Sequence, residues 1–158
     1  MNTNSVLLII GALLLAAGLI YFAFGTGGGG TITQSASSVV AEESFHDFGE
    51  ISIFGGTVET VFTLKNEGTE DVVIKSGTTS CGCTTAEIGG MQFGMHDDIA
   101  RPFTIAAGET AEMTVTFDPL AHGPSGVGLA ERLVYLKTNS NVTPELEVRI
   151  KALVTNSD

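Results

Sequence analysis

The clearest pattern in the chain is Leu146-Glu147-Val148-Arg149-Ile150-Lys151-Ala152-Leu153-Val154, where apolar side chains occupy every even-numbered position. Successive side chains of a β-strand point to opposite faces of the sheet, so this period of two predicts a strand with one buried and one solvated face. The charged side chains of Glu147, Arg149 and Lys151 mark the solvated face. The same period recurs in shorter segments, and it therefore decides the predicted fold.

The shorter segments lie at residues 58–64, 111–117 and 133–138, each close to turn residues such as Gly, Asn, Asp or Pro. Val72 and Ile74 continue the alternation after a turn at residues 66–68, which predicts a hairpin over residues 57–76. We expect six apolar side chains to face inward together: Phe62, Val115, Phe117, Leu133, Val148 and Ile150.

The strand pattern also indicates how the sheets are arranged. No helical period appears after residue 41, and the predicted strands are separated by turn signals. Sheets that each bury one face form a sandwich when those faces pack together. The sequence therefore predicts an all-β, Ig-like antiparallel β-sandwich. It lacks the tryptophan and the inter-sheet disulfide of antibody domains, because the chain has no Trp and its two cysteines are almost adjacent.

An unbroken apolar run begins at Val6 and ends at Phe24, and the first charged side chain of the chain is Glu42. The run is close to the roughly 20 residues that a helix needs to cross a bilayer. It is longer than the core of a typical signal peptide, which has about 7–15 residues. We therefore predict a single-pass transmembrane anchor over residues 1–24. A cleaved signal peptide is the alternative, since Ala23-Phe24-Gly25 resembles a small-x-small cleavage site.

The stretch after this run is rich in Gly, Ser and Thr, which predicts a flexible linker over residues 25–43. The folded domain is expected at residues 44–155, with a tail at residues 156–158. All charged side chains lie beyond residue 41 and give a net charge of −11, which would repel phosphates and excludes nucleic acid as a partner. Because only the terminal amine is positive before the apolar run, we expect the N-terminus in the cytoplasm and the domain outside the cell membrane.

Cys81 and Cys83 are the only cysteines, and Gly82 alone separates them. Two such thiols can close a disulfide, bind one soft metal ion together, or pack as reduced side chains. Paired cysteines of exported proteins are often oxidised, so the structural alternative is either a local bridge that pins a strand end or a pair of partly buried thiols. Thiol exchange normally needs a cation beside the sulfur, and no Lys, Arg or His lies within five residues of either cysteine. Such a cation would have to come through the fold.

The chain contains, in this order, Phe45-His46-Asp47-Phe48-Gly49-Glu50-Ile51, Phe62-Thr63-Leu64-Lys65-Asn66-Glu67-Gly68, Ser80-Cys81-Gly82-Cys83-Thr84, Phe117-Asp118-Pro119 and Thr138-Asn139. Over residues 44–155 this set resembles the bacterial domain of unknown function 1573 family, which comprises exported or membrane-anchored Ig-like domains. The resemblance implies a fold and an extracytoplasmic location, and it carries no activity. The chain departs from the family pattern in two places. Ala107-Gly108 stands where Pro-Gly is usual, and the segment between Cys83 and Gly108 is longer.

The longer segment contains three soft-metal ligands: Met91, Met95 and His96. Thiolate, thioether and imidazole are ligands that favour Cu(I). One hypothesis is therefore a Cu(I) site built from Cys81, Cys83 and a Met or His of this segment. The alternative is that Met91 and Phe93 are apolar cover for one end of the sandwich and that the protein binds no cofactor.

The histidines and hydroxyl side chains give no sign of a hydrolytic site. His46, His96 and His122 are scattered, and no Ser or Cys lies beside a recognisable base, so we expect no enzymatic activity. His46 is predicted to lie in the first strand and His122 in a loop. Two functions remain. One is a non-enzymatic, membrane-anchored module that binds an envelope protein or a glycan outside the cell, and the other is a copper-binding or thiol-redox protein that uses the Cys-Gly-Cys pair.

Overall fold

The computed structural model describes residues 32–96 and 101–156. Over this part of the chain the strands are β1 (Val39–Ala41), β2 (Phe45–Ser52), β3 (Val58–Asn66), β4 (Val72–Thr79), β5 (Thr84–Ile88), β6 (Met91–Phe93), β7 (Phe103–Ile105), β8 (Thr110–Phe117), β9 (Gly128–Thr138) and β10 (Glu145–Thr155). One sheet has the order β1-β3-β8-β5-β6, and the other has the order β2-β10-β9-β4-β7. The described residues contain no helix, so the all-β prediction is confirmed.

The predicted membrane anchor between Val6 and Phe24 lies outside the described residues, as does the linker up to residue 31. Residues 157 and 158 of the predicted tail also lie outside them. Within residues 32–96 and 101–156, no helix is long and apolar enough to cross a membrane.

The two sheets enclose one apolar core. Five of the six side chains predicted to face inward are buried: Phe62, Val115, Phe117, Val148 and Ile150. Burying a side chain of this size stabilises the folded state by about 1.5–3 kcal/mol relative to leaving it exposed. The inward faces predicted for β3, β8 and β10 are therefore confirmed.

The exception is Leu133, which is half-buried on the outer face of β9. This strand turns Val134 into the core instead, so the predicted inward face of β9 is wrong by one residue. Residues 133–136 are apolar at odd and even positions alike, and alternation alone could not choose between the two faces. In the observed register Arg132 lies on the same side of β9 as Val134 and pairs with Ile150 of the neighbouring strand β10.

The hairpin predicted over residues 57–76 is also wrong, because β3 and β4 lie in different sheets. The connection between them is a crossover held by the buried side chain of Asn66. Asn66 Nδ2 donates to the carbonyl oxygens of Glu70 at 2.8 Å and Ile105 at 3.0 Å, and Asn66 Oδ1 accepts from the N–H of Gly68 at 3.0 Å. Turn residues signal a reversal, and they do not tell whether the next strand returns to the same sheet.

The folded part starts earlier than the predicted boundary at residue 44. Strand β1 pairs with β3, and Val39 is fully buried. Upstream of β1, Asn139 Nδ2 donates to the carbonyl oxygen of Thr33 at 2.6 Å, and the N–H of Ser35 donates to the carbonyl oxygen of Asn139 at 3.0 Å. A Ser- and Thr-rich composition is typical of linkers, but these side chains also hydrogen-bond the backbone in packed segments. Residues 32–43 therefore belong to the domain.

One strand pair departs from the predicted antiparallel arrangement. Strand β2 runs parallel to β10, and no hairpin fixes their relative direction because they are far apart in the sequence. Lys151 Nζ lies 2.8 Å from Asp47 Oδ2 and links the two strands. The hydrogen bond from Lys151, together with one from the N–H of Gly49, lowers the pKa of Asp47. The same hydrogen bond to Asp47 raises the pKa of Lys151.

Candidate functional site

Cys81 and Cys83 lie in the turn that leads from β4 of one sheet to β5 of the other. Their sulfur atoms are joined in a disulfide, and their Cα atoms are 5.3 Å apart. The Cys81 side chain is half-buried, whereas Cys83 is only 3% exposed. Cys81 is therefore the sulfur that a partner molecule can reach from solvent.

Hydrogen bonds on both sides hold this turn in place. The hydroxyl oxygen of Thr79 lies 2.9 Å from the carbonyl oxygens of both Cys81 and Thr84, which share its single O–H donor. The N–H of Asp118, just after β8, donates to the carbonyl oxygen of Cys83 at 2.9 Å. The polar residues around the Cys-Gly-Cys motif thus fix where the two sulfur atoms lie.

His122 approaches the bridge from the loop between β8 and β9, where it was predicted to lie. Its Nε2 atom is 3.0 Å from Cys81 Sγ. Asp118 Oδ1 accepts from the N–H of Leu120 at 2.9 Å, and the N–H of Gly123 donates to the carbonyl oxygen of Leu120 at 2.7 Å. Gly123 has a φ of 81°, a left-handed conformation that favours glycine. These turns place the imidazole of His122 beside Cys81 Sγ.

Arg132 approaches the other sulfur from β9. Its Nε–H donates to Cys83 Sγ at 3.0 Å. The guanidinium carbon lies 5.9 Å from the centroid of the Phe117 ring, and Nη1 donates to the carbonyl oxygen of Glu131 at 2.7 Å. The aromatic ring and the backbone carbonyl therefore hold the guanidinium against the bridge. No basic residue lies near the cysteines in the sequence, but the fold places the guanidinium of Arg132 beside Cys83 Sγ.

A shallow groove runs beside the accessible sulfur. It is lined by Ser80, Cys81, Glu131, Arg132, Leu133 and Arg149. Arg132 and Arg149 lie at this groove beside the carboxylate of Glu131, and Arg149 Nη2 is 3.6 Å from Glu147 Oε1. The guanidinium of Arg132 is the positive group at the bridge itself, and a positive group attracts anions such as thiolates.

The other predicted metal ligands lie elsewhere. Met91 is buried in β6 opposite Ile88 of β5, as the alternative of apolar cover predicts. Met95 and His96 are exposed and line a different depression beside Tyr135.

Within the described part of the chain, one group of three His, Cys, Asp or Glu side chains could hold a metal ion. It comprises Cys81, Cys83 and His122, whose ligand atoms all lie within 4.8 Å of one another. The structure thus brings together the two predicted cysteines and a histidine that the sequence hypothesis did not include, while His96 lies outside the group.

Sequence reasoning missed His122 and Arg132 because they are 41 and 49 positions from their sulfur partners. Arg132 left no signal that the sequence alone could use. In β9 it has the parity of Ala130 and Val134, both buried, but the apolar residues 133–136 do not tell which parity faces the core. His122 left no signal either, since a loop has no periodicity from which to predict a direction.

The fold and this site define an Ig-like β-sandwich module with a Cys81–Cys83 disulfide. His122 contacts one sulfur of this disulfide and Arg132 contacts the other. The chain belongs to the family described as "Protein of unknown function (DUF1573)", whose family model matches residues 39–154. The family resemblance drawn from the sequence is therefore confirmed. No curated protein sequence matches the chain.

Several solved structures share the fold. A protein of unknown function from Porphyromonas gingivalis W83 is similar with a TM-score of 0.59 and 18% identity over 79% of this chain, which spans 50% of that protein. The PapD-like domain 7 of human CEP192 has a TM-score of 0.51 and 14% identity over 82% of this chain and 94% of its own. The CupB6 tip adhesin from Pseudomonas aeruginosa has a TM-score of 0.52 and 13% identity over 84% and 46%. At these identities the likeness shows the fold alone.

Proposed function

We propose that this chain is a membrane-anchored, extracytoplasmic Ig-like module whose Cys81–Cys83 bridge exchanges with the thiols of a partner protein. The observation that carries the proposal is the contact at each sulfur. His122 lies 3.0 Å from Cys81 Sγ, and Arg132 donates to Cys83 Sγ at 3.0 Å. A cation beside a sulfur stabilises its thiolate, and a stabilised thiolate is a better leaving group in exchange. A bridge that served packing alone would need neither contact.

Exchange begins when a partner thiolate attacks Cys81 Sγ, the more accessible sulfur. A bond forms between the partner sulfur and Cys81, the bond between Cys81 and Cys83 breaks, and its electron pair stays on Cys83 as a thiolate that Arg132 stabilises. A second partner thiolate then attacks the partner sulfur of this mixed disulfide. Cys81 leaves as a thiolate beside Nε2 of His122, which lies 3.0 Å from its sulfur. The bridge is reduced, and the partner dithiol is oxidised to a disulfide.

The surroundings of the bridge favour this approach. A Cβ atom on Gly82 would meet no atom within 4 Å, so the space next to the glycine is open. Cys81 also lines the groove that Ser80 and Leu133 border. A partner thiolate can therefore approach Cys81 from this groove.

The direction of attack can be tested with single cysteines in the full chain, purified in detergent. With Cys83→Ser, the thiol of Cys81 should form mixed disulfides with glutathione disulfide, followed by mass spectrometry. With Cys81→Ser, the buried thiol of Cys83 should react at least about tenfold more slowly than Cys81 does in Cys83→Ser, because a thiol must be accessible to react. Equal rates for the two variants would contradict the proposed order of steps.

Two features support the proposed location. Disulfides persist in oxidising compartments outside the cytoplasm, and the apolar run from Val6 to Phe24 has the length of a membrane-spanning helix. Protease added to intact cells should therefore remove the domain, and a carbonate wash should leave the chain in the membrane fraction. Protection from the protease, or release by carbonate, would argue against this topology.

The second candidate function is a non-enzymatic interaction module that binds an envelope protein or a glycan. It is favoured by Leu129 and Leu153, which pair across β9 and β10 on the outer face and are 64% and 44% exposed. Exposed apolar groups that adjoin one another are typical of contact surfaces. Crosslinking in envelope membranes separates the candidates, since an interaction module keeps its crosslinked partner when both cysteines are replaced by serine. Loss of the partner in that variant, with retention in Leu129→Lys, would favour exchange.

A further inference from the structure

We propose that the reduced form of this module binds one Cu(I) ion through Cys81, Cys83 and His122, and that a partner disulfide, which is reduced to a dithiol as it closes the bridge, releases the ion. The inference deepens the proposed function and rests on it in one respect, namely that the bridge is reducible in the protein's surroundings. It differs from the sequence hypothesis in its third ligand, which comes from the loop between β8 and β9.

The geometry of the three side chains carries the proposal. Their ligand atoms lie within 4.8 Å of one another, although they come from two separate segments of the chain. The turn of the cysteines is fixed by Thr79, and the loop of His122 is fixed by Asp118. The two segments that carry the donors therefore already lie side by side, and little of the binding free energy is needed to bring the segments together. Soft sulfur ligands with an imidazole suit Cu(I).

The number of donors argues against a closed structural zinc site. Such a site is almost always completed by four protein ligands, and the group found in the described residues has three. A catalytic zinc site can also have two cysteines and one histidine, so the choice of Cu(I) rests on the charges at the site.

The charges at the site point the same way. Two thiolates and one Cu(I) ion carry a net charge of −1, which the guanidinium of Arg132 balances from its position on Cys83 Sγ. Two thiolates already neutralise Zn²⁺, so the same guanidinium would stand beside a neutral centre and bring no compensation.

The oxidation state controls binding because the bridge and the ion compete for the same sulfur atoms. In the disulfide both sulfurs are bonded to each other and neither carries a thiolate charge. A partner dithiol reduces the bridge to two thiols and is itself oxidised to a disulfide. The two thiols then lose their protons as Cu(I) binds, giving a copper bis-thiolate with His122 as the third donor. Cys81 lies at the groove, so the ion has a path in and out.

The test uses the full chain in detergent micelles, reduced with a phosphine and then freed of reductant without oxygen. Cu(I) is delivered from its coloured bicinchoninate complex, and binding is followed as the colour fades. We expect one Cu(I) per reduced chain and none for the bridged chain. His122→Ala should weaken binding about tenfold or more, because one of three soft donors is lost. His96→Ala, an exposed histidine outside the group, is the matched control and should leave binding unchanged.

X-ray absorption at the copper edge gives a second readout. Copper should have two sulfur neighbours and one nitrogen neighbour in the unmodified chain, and the nitrogen should be lost in His122→Ala. His122 lies in an exposed loop, so this variant should keep the β-sheet circular dichroism of the parent even if Cys81→Ser with Cys83→Ser fails to fold.

Three results would overturn the proposal. They are equal binding by the bridged and reduced chains, an unchanged affinity in His122→Ala, and a loss in His96→Ala as large as that in His122→Ala. The last would assign the third ligand to the segment of Met91, Met95 and His96. Because the phosphine reduces the bridge before copper is added, this titration stands apart from exchange with protein thiols. Failure of exchange leaves a copper result valid, and failure of copper binding leaves exchange intact.

Discussion

Arg132→Gln is expected to make the Cys81–Cys83 bridge harder to reduce. Arg132 Nε donates to Cys83 Sγ at 3.0 Å, and this contact becomes a charge-assisted hydrogen bond once Cys83 is a thiolate. Hydrogen bonds to charged groups contribute about 1.5–3 kcal/mol, and the half-buried position of Arg132 places this one at the lower end. For a two-electron couple, about 1.4 kcal/mol corresponds to ~30 mV and a tenfold change in the equilibrium constant. The reduction potential should therefore become about 30 mV more negative.

The assay equilibrates the protein in dithiothreitol buffers of graded redox ratio, traps thiols with an alkylating reagent and counts them by mass. Arg149→Gln is the control. Arg149 lines the same groove, and its Nη2 lies 3.6 Å from Glu147 Oε1, so this variant removes a positive charge while the hydrogen bond to Cys83 Sγ stays. An unchanged potential in Arg132→Gln, or an equal shift in both variants, would refute the role given to the Nε–H.

The remaining predictions concern the fold. Leu136→Ala should lower the free energy of unfolding by about 2–5 kcal/mol through a cavity, whereas Leu133→Ala on the outer face should cost clearly less; equal losses in urea unfolding would place β9 in the wrong register. Deleting residues 32–43 should lower the thermal midpoint of the domain, because β1 and its buried strand contacts are lost; an unchanged midpoint would show that the segment is a linker after all. Asp47→Asn should lower the midpoint at neutral pH. The lowered pKa of Asp47 means that its contribution is present above pH 3.8 and is lost as the pH falls through the lowered folded value. The raised pKa of Lys151 means that the contribution is also lost as the pH rises from 10.5 through the raised folded value. The two proteins should therefore converge at both extremes of pH and in high salt, and a difference that persists there would not come from the ion pair.

Alternation predicted the inward faces of β3, β8 and β10 because their odd and even positions differ in polarity, as in Leu146 to Val154. It failed at Leu133, where both parities are apolar and packing against the opposite sheet makes the choice. The crossover at Asn66 could not be foreseen either, since local turn chemistry is similar for a hairpin and for a change of sheet.

The sequence predicted two of the four side chains of the candidate site. Only Gly82 separates Cys81 from Cys83, so their joint chemistry could be read from the sequence. His122 and Arg132 meet the sulfurs only because β8, β9 and the cysteine turn converge at one end of the sandwich. A contact between residues so distant in the sequence is set by topology and register, which composition does not encode.

The cysteine turn is also the place where the chain passes from one sheet of the sandwich to the other. Opening the bridge removes a covalent tie from this crossover, while the ladder between β9 and β10 is untouched. Amides near Cys83 should then exchange with heavy water faster, and those of β10 should stay protected. The oxidation state of the two sulfur atoms thereby sets how rigid the cysteine turn is. A neighbouring protein bound at the groove would respond to that rigidity without contacting either sulfur.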